Sequence, residues 1–475
     1  MAPRHCAECN GQDAPFAGWK KAWSPRLGLA YQVRPGTVIR AYAGKSYGSV
    51  KTTGGSTHFQ GLILNSTFSN SALPAFTYWN LDNGLPAWTP PPYRGPTTDL
   101  GGTTYYWQRE DSGRPPEFYT WNLDIQRQLP KNLVLSAGYT GTRGVHLSSA
   151  VLNLNQTNPK YFSQYGRDLL LADINSPAAR AAGIAMPYAA FTGTVAQALK
   201  PFPQWGDVQT SGSSVGERAG SSTYNAMIVK LDKRYSSGLT LLSSYVLSKM
   251  FSDSESTAAP GRNVMDHYNR HLDKGLSSDD STHMLRQAFT YELPFGKGRH
   301  FNFSGVADRI LGGWGVAGFL EHSSGTPMNV GPGFSPIPGG MGNRIFINSY
   351  ENWRAPVSGD KFDPFKDVWW SKSAFQRGPD GQLLTQAQLY AGVGNATKNN
   401  PKMRSPWWLN ENITLSKNVD FTEKVRLTLR FEAFNIFNRV RWGGPDSTFT
   451  SANFGNIRSQ GNDPRRMQFG AKVTF

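Results

Sequence analysis

From Val425 to Asn435 the side chains alternate in character at every step, with Val425, Leu427, Leu429, Phe431 and Ala433 apolar and Arg426, Thr428, Arg430 and Glu432 polar. Successive side chains of a β-strand point to opposite faces, so this period of two specifies an extended segment with one apolar and one polar side. The final residues repeat the pattern. Met467, Phe469, Ala471, Val473 and Phe475 alternate with Arg466, Gln468, Gly470, Lys472 and Thr474, and the chain stops on an aromatic. Upstream, Tyr119, Trp121, Leu123, Ile125 and Leu129 mark one face of a strand, and Leu133, Leu135, Ala137 and Tyr139 one face of the next. A Leu-Pro-Lys-Asn turn joins them, with proline at a turn position. Alternation alone does not say whether the apolar side meets lipid or a protein core. Its repetition and the spacing of the turns do.

Further strands are expected over 26–33, 37–47, 224–235, 239–250, 284–293, 311–322 and 407–417, for about eleven in all. Most are near the roughly ten residues that a tilted membrane strand needs. Their connections sort by length. Brief turns at 34–36, 130–132, 236–238 and 418–422 alternate with long segments at 48–116, 148–221, 251–282, 323–406 and 436–463, and Pro294–Ile310 is intermediate. A soluble sandwich has no reason to sort its loops in this way, whereas an antiparallel transmembrane β-barrel with long extracellular loops does. Long loops without a helical pattern would count against a compact domain, but they suit a barrel whose loops do the recognising. Aromatics near strand ends, at Tyr105, Tyr106, Trp107, Phe118, Tyr119, Trp407 and Trp408, read as an interfacial girdle.

Composition agrees. Only 38% of 475 residues are hydrophobic, low for a water-excluding core of that size, while 50 Gly, 31 Pro and 13% aromatics suit strands and turns. No apolar run reaches the roughly 18 residues of a helical span. The formal charge of +16 is spread singly through alternating segments, so no nucleic-acid partner is expected; a wet lumen, a rim and surface loops accommodate it. Cys6 and Cys9 form a lone C-x-x-C without the second pair of a zinc ribbon or the βαβ setting of a redox site, and read as part of a loop. The first residues have no apolar stretch of signal-peptide length, so a leader is expected in a missing N-terminal part.

In this order, several strings resemble the Oar-like group of TonB-dependent receptors, the acidobacterial type that carries a carboxypeptidase-regulatory-like domain. They include Trp23-Ser-Pro-Arg-Leu-Gly-Leu-Ala-Tyr31, Ala137-Gly-Tyr-Thr-Gly-Thr-Arg-Gly-Val-His-Leu147, Lys230-Leu-Asp-Lys-Arg-Tyr235 and Tyr291-Glu-Leu-Pro-Phe-Gly-Lys-Gly-Arg299. Phe431-Glu-Ala-Phe-Asn-Ile-Phe-Asn438 is the most characteristic. The resemblance implies residues 1–24 as a loop remnant of the preceding hairpin and 25–475 as the C-terminal part of a barrel of about 22 strands. It further implies energy-coupled uptake of a bulky nutrient in the outer membrane, with the plug and TonB box in a part that this chain lacks. Expected partners are the TonB system, the barrel-assembly machinery, the lipid bilayer with its lipopolysaccharide, and an extracellular ligand of unknown identity. Gln468, Gly470, Val473 and Phe475 look like the C-terminal signal that the assembly machinery reads. Arg426, Arg430, Glu432 and Lys472 are expected to face the lumen, where water or plug groups satisfy charge.

Catalytic and metal constellations are weak. His267 and His271, flanked by Asp266 and Asp273, lack the Glu of a zincin motif and a supported helix, so no metal site is expected. Asp279, Asp280 and His283 read as solvated loop residues, and no nucleophile elbow, Walker loop or dinucleotide fingerprint occurs. No catalytic residue and no cofactor are expected. Two other readings stay open: a surface structural or adhesion-like protein without transport, and a secreted carbohydrate-active enzyme on a β-rich fold.

Overall fold

The computed structural model describes residues 19–48, 82, 105–107, 114–147, 153–189, 191–210, 218–254, 265–331, 344–347, 352–375 and 394–475. Its strands are β1 (Arg26–Arg34), β2 (Thr37–Tyr47), β3 (Tyr105–Trp107), β4 (Glu117–Leu129), β5 (Leu133–Leu147), β6 (Val208–Thr210) and β7 (Gly220–Ser236). They continue with β8 (Leu239–Ser252), β9 (Gly275–Leu276), β10 (His283–Glu292), β11 (Trp314–Ser323), β12 (Trp408–Asp420), β13 (Arg426–Phe434) and β14 (Arg466–Thr474). All but β3, β6 and β9 form one antiparallel meander in which each strand pairs with the next along the chain, from β1 at one edge to β14 at the other. The short β9 adds to β8, and β3 and β6 make a separate parallel pair. The expected all-β architecture with about eleven long strands is what the chain forms.

The tight turns carry the left-handed backbone that hairpins of right-twisted strands require. Both central residues have positive φ in the β4–β5 turn (Lys131 60°, Asn132 59°) and in the β7–β8 turn (Ser237 52°, Gly238 77°). The β1–β2, β4–β5 and β7–β8 turns are each tied to the strand that follows their hairpin, since Gly36 O accepts from Gln128 N at 2.7 Å, Asn132 O from Arg234 N at 3.1 Å and Gly238 O from Glu292 N at 2.8 Å. The long segments all leave from the opposite ends of the strands, as the spacing predicts.

Three expectations need correction. The segment 311–322 is not one strand: α4 (Gly305–Leu311) occupies its start, and β11 begins only at Trp314. The break is Gly312-Gly313, where Gly313 has φ 69°. The turn expected at 418–422 lies later, because β12 runs on to Asp420 and Val425 caps the reversal by accepting from Phe421 N at 2.9 Å. The segment 148–221 does contain helices, α1 (Pro159–Leu171), α2 (Pro177–Ala181) and α3 (Val195–Ala198). Their N-caps Asn158, Ser176 and Thr194 each accept a backbone N–H of the first turn.

The register keeps one chemistry on each side of the sheet. Leu123, Tyr139, Met227 and Leu247 stand in one cross-strand row of β4, β5, β7 and β8, and Leu415, Phe431 and Phe469 in another of β12, β13 and β14. Trp121 lies over Gly141 and Phe289 over Gly318, aromatic rings filling the space that a glycine leaves on the same face. The opposite face carries the row Gln126, Ser136, Lys230, Ser244, Arg286 and Glu321, closed by an Arg286–Glu321 ion pair of 2.8 Å.

Among the described residues, nothing covers the apolar side. Leu123, Tyr139 and Met227 are 49%, 43% and 46% exposed although their strands have neighbours on both sides. The two packed hydrophobic cores lie in the long connections instead, one around Leu170, Phe191 and Val195 and one around Trp370, Phe375 and Phe454. A contiguous apolar belt of this kind is tolerated against hydrocarbon and not against water.

The turn geometry gives a test. Gly238 has φ 77°, and a Cβ there would meet Glu292 O at 2.7 Å. Gly238→Ala should therefore destabilise the folded protein by at least about 1–2 kcal/mol, seen as a lower urea midpoint in detergent. An unchanged midpoint would contradict the assigned turn.

Candidate functional site

The residues expected to line a lumen do share one face. In the β13–β14 pair, Arg426 stands opposite Thr474, Thr428 opposite Lys472, Arg430 opposite Gly470 and Glu432 opposite Gln468. With Asp420, Thr422, Glu423 and Lys424 from the adjoining turn they border a concavity of about 1070 Å³. Arg426 Nη2 donates to Asp420 Oδ2 at 3.2 Å, and Gln468 Nε2 donates to Glu432 Oε2. Such exposed pairs contribute little to stability, so what this wall offers is a wet, charged surface.

Further round the same face the chemistry changes. Leu242, Ala288, Phe319 and Asn412 form one cross-strand row, and with Thr240, Thr290, Ala317 and Thr414 they line a depression of about 410 Å³. Leu242 is 53% and Phe319 44% exposed there. The sequence reading missed this patch, because the apolar residues of β8 (Leu239, Leu241, Leu242, Val246, Leu247) do not alternate cleanly and hide which of them faces inward.

Of the terminal residues, Gln468 and Gly470 lie on the polar face and Val473 on the apolar one, with Phe475 following Thr474 in the same alternation. Every residue of β14 is exposed, as is every residue of β1, each strand having a neighbour on one side only among the described residues.

The His/Asp loop is used for packing. Asp266 Oδ1 accepts from Gln156 Nε2 at 2.7 Å and Tyr268 N at 3.0 Å, while Asp273 accepts from Met265 N at 3.0 Å and pairs with Arg344 at 3.3 Å. Burial raises the Asp273 carboxyl above its usual range, with the Met265 amide and Arg344 acting against that. Among the described residues no group of three or more His, Cys, Asp or Glu could hold a metal ion.

The expectation of solvated side chains at 279–283 holds for Asp279 and fails for the other two. Asp280 is buried and pairs with Arg404 at 2.6 Å, accepting also from Met250 N at 2.8 Å. Arg404 reaches on to Gly325 O at 2.8 Å, so one ion pair ties the loop ends of β8, β11 and β12. His283 Nδ1 lies 2.8 Å from Tyr245 Oη, and its ring stacks between Tyr245 (6.3 Å) and Trp407 (6.1 Å). This trio forms a band at the long-loop end of the apolar belt, where an interfacial girdle belongs. Of the other girdle candidates, Tyr119 is an exposed belt residue and Trp408 is exposed at the start of β12.

Asn435 is a second hub that sequence reasoning passed over. At φ 51° it ends β13; its Nδ2 donates to Arg439 O (2.9 Å) and Asp463 O (3.1 Å), and its Oδ1 accepts from Arg439 N (2.8 Å). Arg439 then joins His322 on the buried Glu411, at 3.0 and 2.9 Å. An asparagine, which tolerates left-handed backbone, immediately after an alternating run is the sequence signal that could have marked it. Cys6 and Cys9 lie outside the described residues.

A family model for the outer membrane beta barrel domain matches residues 5–468. Among curated proteins no relative matches. Among solved structures, the chain is similar to the outer membrane transporter YddB from Escherichia coli, at 9% identity and a TM-score of 0.41, over 95% of this chain and 40% of that one. It is also similar to the pyoverdine receptor FpvA from Pseudomonas aeruginosa, at 10% identity and a TM-score of 0.35, over 95% and 32% respectively. A third is the siderophore receptor PiuA from Acinetobacter baumannii, at 8% identity and a TM-score of 0.37, over 95% and 35%. The chain thus spans between 32% and 40% of the length of these structures. With a match over nearly its whole length and a sheet whose apolar side is exposed among the described residues, this chain belongs to the outer membrane beta barrel domain family and is a β-barrel protein of the outer membrane.

Proposed function

We propose that residues 25–475 are the C-terminal half of an Oar-like TonB-dependent receptor barrel, with 1–24 as the end of a preceding loop. In this reading the whole receptor takes up a bulky nutrient that its long loops capture outside the cell, and this part carries no catalytic group. The observation that carries the reading is the pair of open edges. β1 and β14 each lack one neighbour among the described residues, and unpaired strand groups facing lipid cost several kcal/mol each. A complementary set of strands satisfies both. The Leu242–Phe319 patch supports it further, because an apolar depression on a wall otherwise lined by Lys230, Arg286 and Arg430 suits the surface of a plug domain better than water. TonB would act through that plug, and the charged wall at Arg426, Arg430, Glu432 and Lys472 would pair with it.

The loops are built for recognition in this reading. Trp369, Trp370, Phe375, Phe449 and Phe454 pack into one buried cluster, which gives the loops a fixed shape to present to a ligand or to lipopolysaccharide. Gln468, Gly470, Val473 and Phe475 would serve the barrel-assembly machinery.

Three outcomes are expected. On intact cells, engineered cysteines at Asp363 and Asp446 should react with an impermeant reagent and those at Lys131 and Ser237 should not; labelling at Ser237 without labelling at Asp363 would reverse the orientation. The chain purified alone should give no monomeric, substrate-specific, TonB-responsive transport in vesicles, and such transport would overturn the half-barrel assignment. In the full-length receptor, deleting Phe475, which is 96% exposed at the end of the apolar alternation, removes about 1.5–3 kcal/mol of lipid-side burial. Heat-modifiable gel mobility should then show less folded barrel while ligand affinity in the remaining barrels stays near normal. Normal yield with lost binding would show that Phe475 has another role.

A further inference from the structure

The connection between β10 and β11 is the longest on the short-turn side, and its helix α4 sits on the outer side of the sheet. Two side chains show this. Trp314 and Lys417 are cross-strand partners in the apolar alternation that continues as Val316 and Leu415. Trp314 Nε1 donates to Ile310 O at 2.9 Å, and Lys417 Nζ donates to Gly312 O while lying 5.6 Å from the centre of the Trp314 ring. The last carbonyls of α4 are therefore capped from the lipid-facing side of the barrel wall, and not from the lumen.

The helix is amphipathic in a way that a water-facing turn does not need. At 100° per residue, Val306, Ile310, Ala307 and Leu311 fall on one arc and Asp308 and Arg309 on the other. Asp308 Oδ1 accepts from Lys297 N at 2.6 Å, which pins the polar arc to the preceding loop. In that loop Phe295 and Phe301 stack with centroids 5.3 Å apart. Among the described residues nothing covers the apolar arc: Val306 is 71%, Ile310 61% and Leu311 47% exposed, and Phe301 in the loop beside it is 48% exposed. Lys297 and Arg309 bring positive charge to the same segment, beside Arg299, which pairs with Glu292 at 2.5 Å.

We infer that residues 294–313 are an interfacial anchor, with α4 lying in the plane of the membrane so that Val306, Ile310 and Leu311 enter the acyl region of the leaflet that borders the short turns. Its partner is phospholipid. The apolar arc continues the lipid-facing belt through Trp314 and Val316, and the basic residues of the segment are complementary to lipid phosphate. Tryptophan and lysine at this level are the side chains that favour a membrane interface. The anchor depends on the barrel lying in a bilayer and not on its transport role, so it stands or falls separately from the proposed function.

The test uses the full chain with Cys6 and Cys9 replaced by serine, extracted with its outer membrane and reconstituted in phosphatidylethanolamine–phosphatidylglycerol vesicles. An environment-sensitive fluorophore is attached at Ile310→Cys, and separately at Val306→Cys and at Lys424→Cys in the neighbouring turn. Folding of each is checked by heat-modifiable mobility, and the Val306 site reports if the Ile310 label prevents folding. Quenching by a nitroxide placed high on the lipid acyl chain should be at least about twofold stronger at 306 and 310 than at 424, with iodide showing the reverse order. Adding Ile310→Asn should weaken lipid quenching of the label at 306. Equal iodide quenching at 310 and 424 would overturn the anchor. So would shielding from both quenchers, which would mean that a protein surface or a second copy covers the helix.

Discussion

A strand inside hydrocarbon must satisfy its backbone N–H and C=O groups from neighbouring strands, because no water is there to do so. That requirement explains why consecutive strands from β1 to β14 pair in chain order without a crossover, and why the tight turns have left-handed residues at Lys131, Asn132, Ser237 and Gly238. It also explains why register matters so much. A slip of one residue anywhere would put Lys230 or Arg286 into lipid and Leu123 or Met227 onto the wet side. Among the described residues β1 and β14 each pair on one side only, so the same requirement bears on those two edges most heavily.

At the long-loop end the constraint reverses, and burial of polar groups does the organising. Asp280 and Arg404 join three strand ends through one buried ion pair, Asn435 closes the exit of β13, and Glu411 gathers His322 and Arg439. Removing one member of such a set leaves its partner buried without compensation, which costs more than an exposed pair contributes. The described parts of the long loops are held in a folded form by these groups and by their aromatic cores.

Strand positions were legible because lipid on one side and water on the other impose a strict period of two. Residues 26–33, 37–47 and 425–435 were read almost to the residue, and so was the division into short turns and long loops. What escaped the reading obeys other rules. α4 is hidden because all of it but Leu311 falls in the intermediate joint 294–310, where seven residues are too few to show a helical period, and only Gly312-Gly313 separates it from β11. Helices α1 to α3 are short and held by caps and by contacts of Phe191 with distant residues, which no local period reveals. Asp280 looked like any loop carboxylate because its partner Arg404 is 124 positions away. Of the candidate site, the charged wall of β13 and β14 followed from alternation, whereas the Leu242–Phe319 patch depends on a register that only pairing fixes.

The central claim is that one face of this sheet meets lipid and the other water. It is tested most directly by single nitroxide labels placed at each position from 119 to 126 of β4 in bilayers, measuring collision rates with oxygen and with a water-soluble nickel chelate. The odd positions, which include Tyr119, Trp121, Leu123 and Ile125, should be accessible to oxygen and shielded from nickel, and the even positions should show the reverse, giving a period of two. Equal nickel access at odd and even positions would contradict the account.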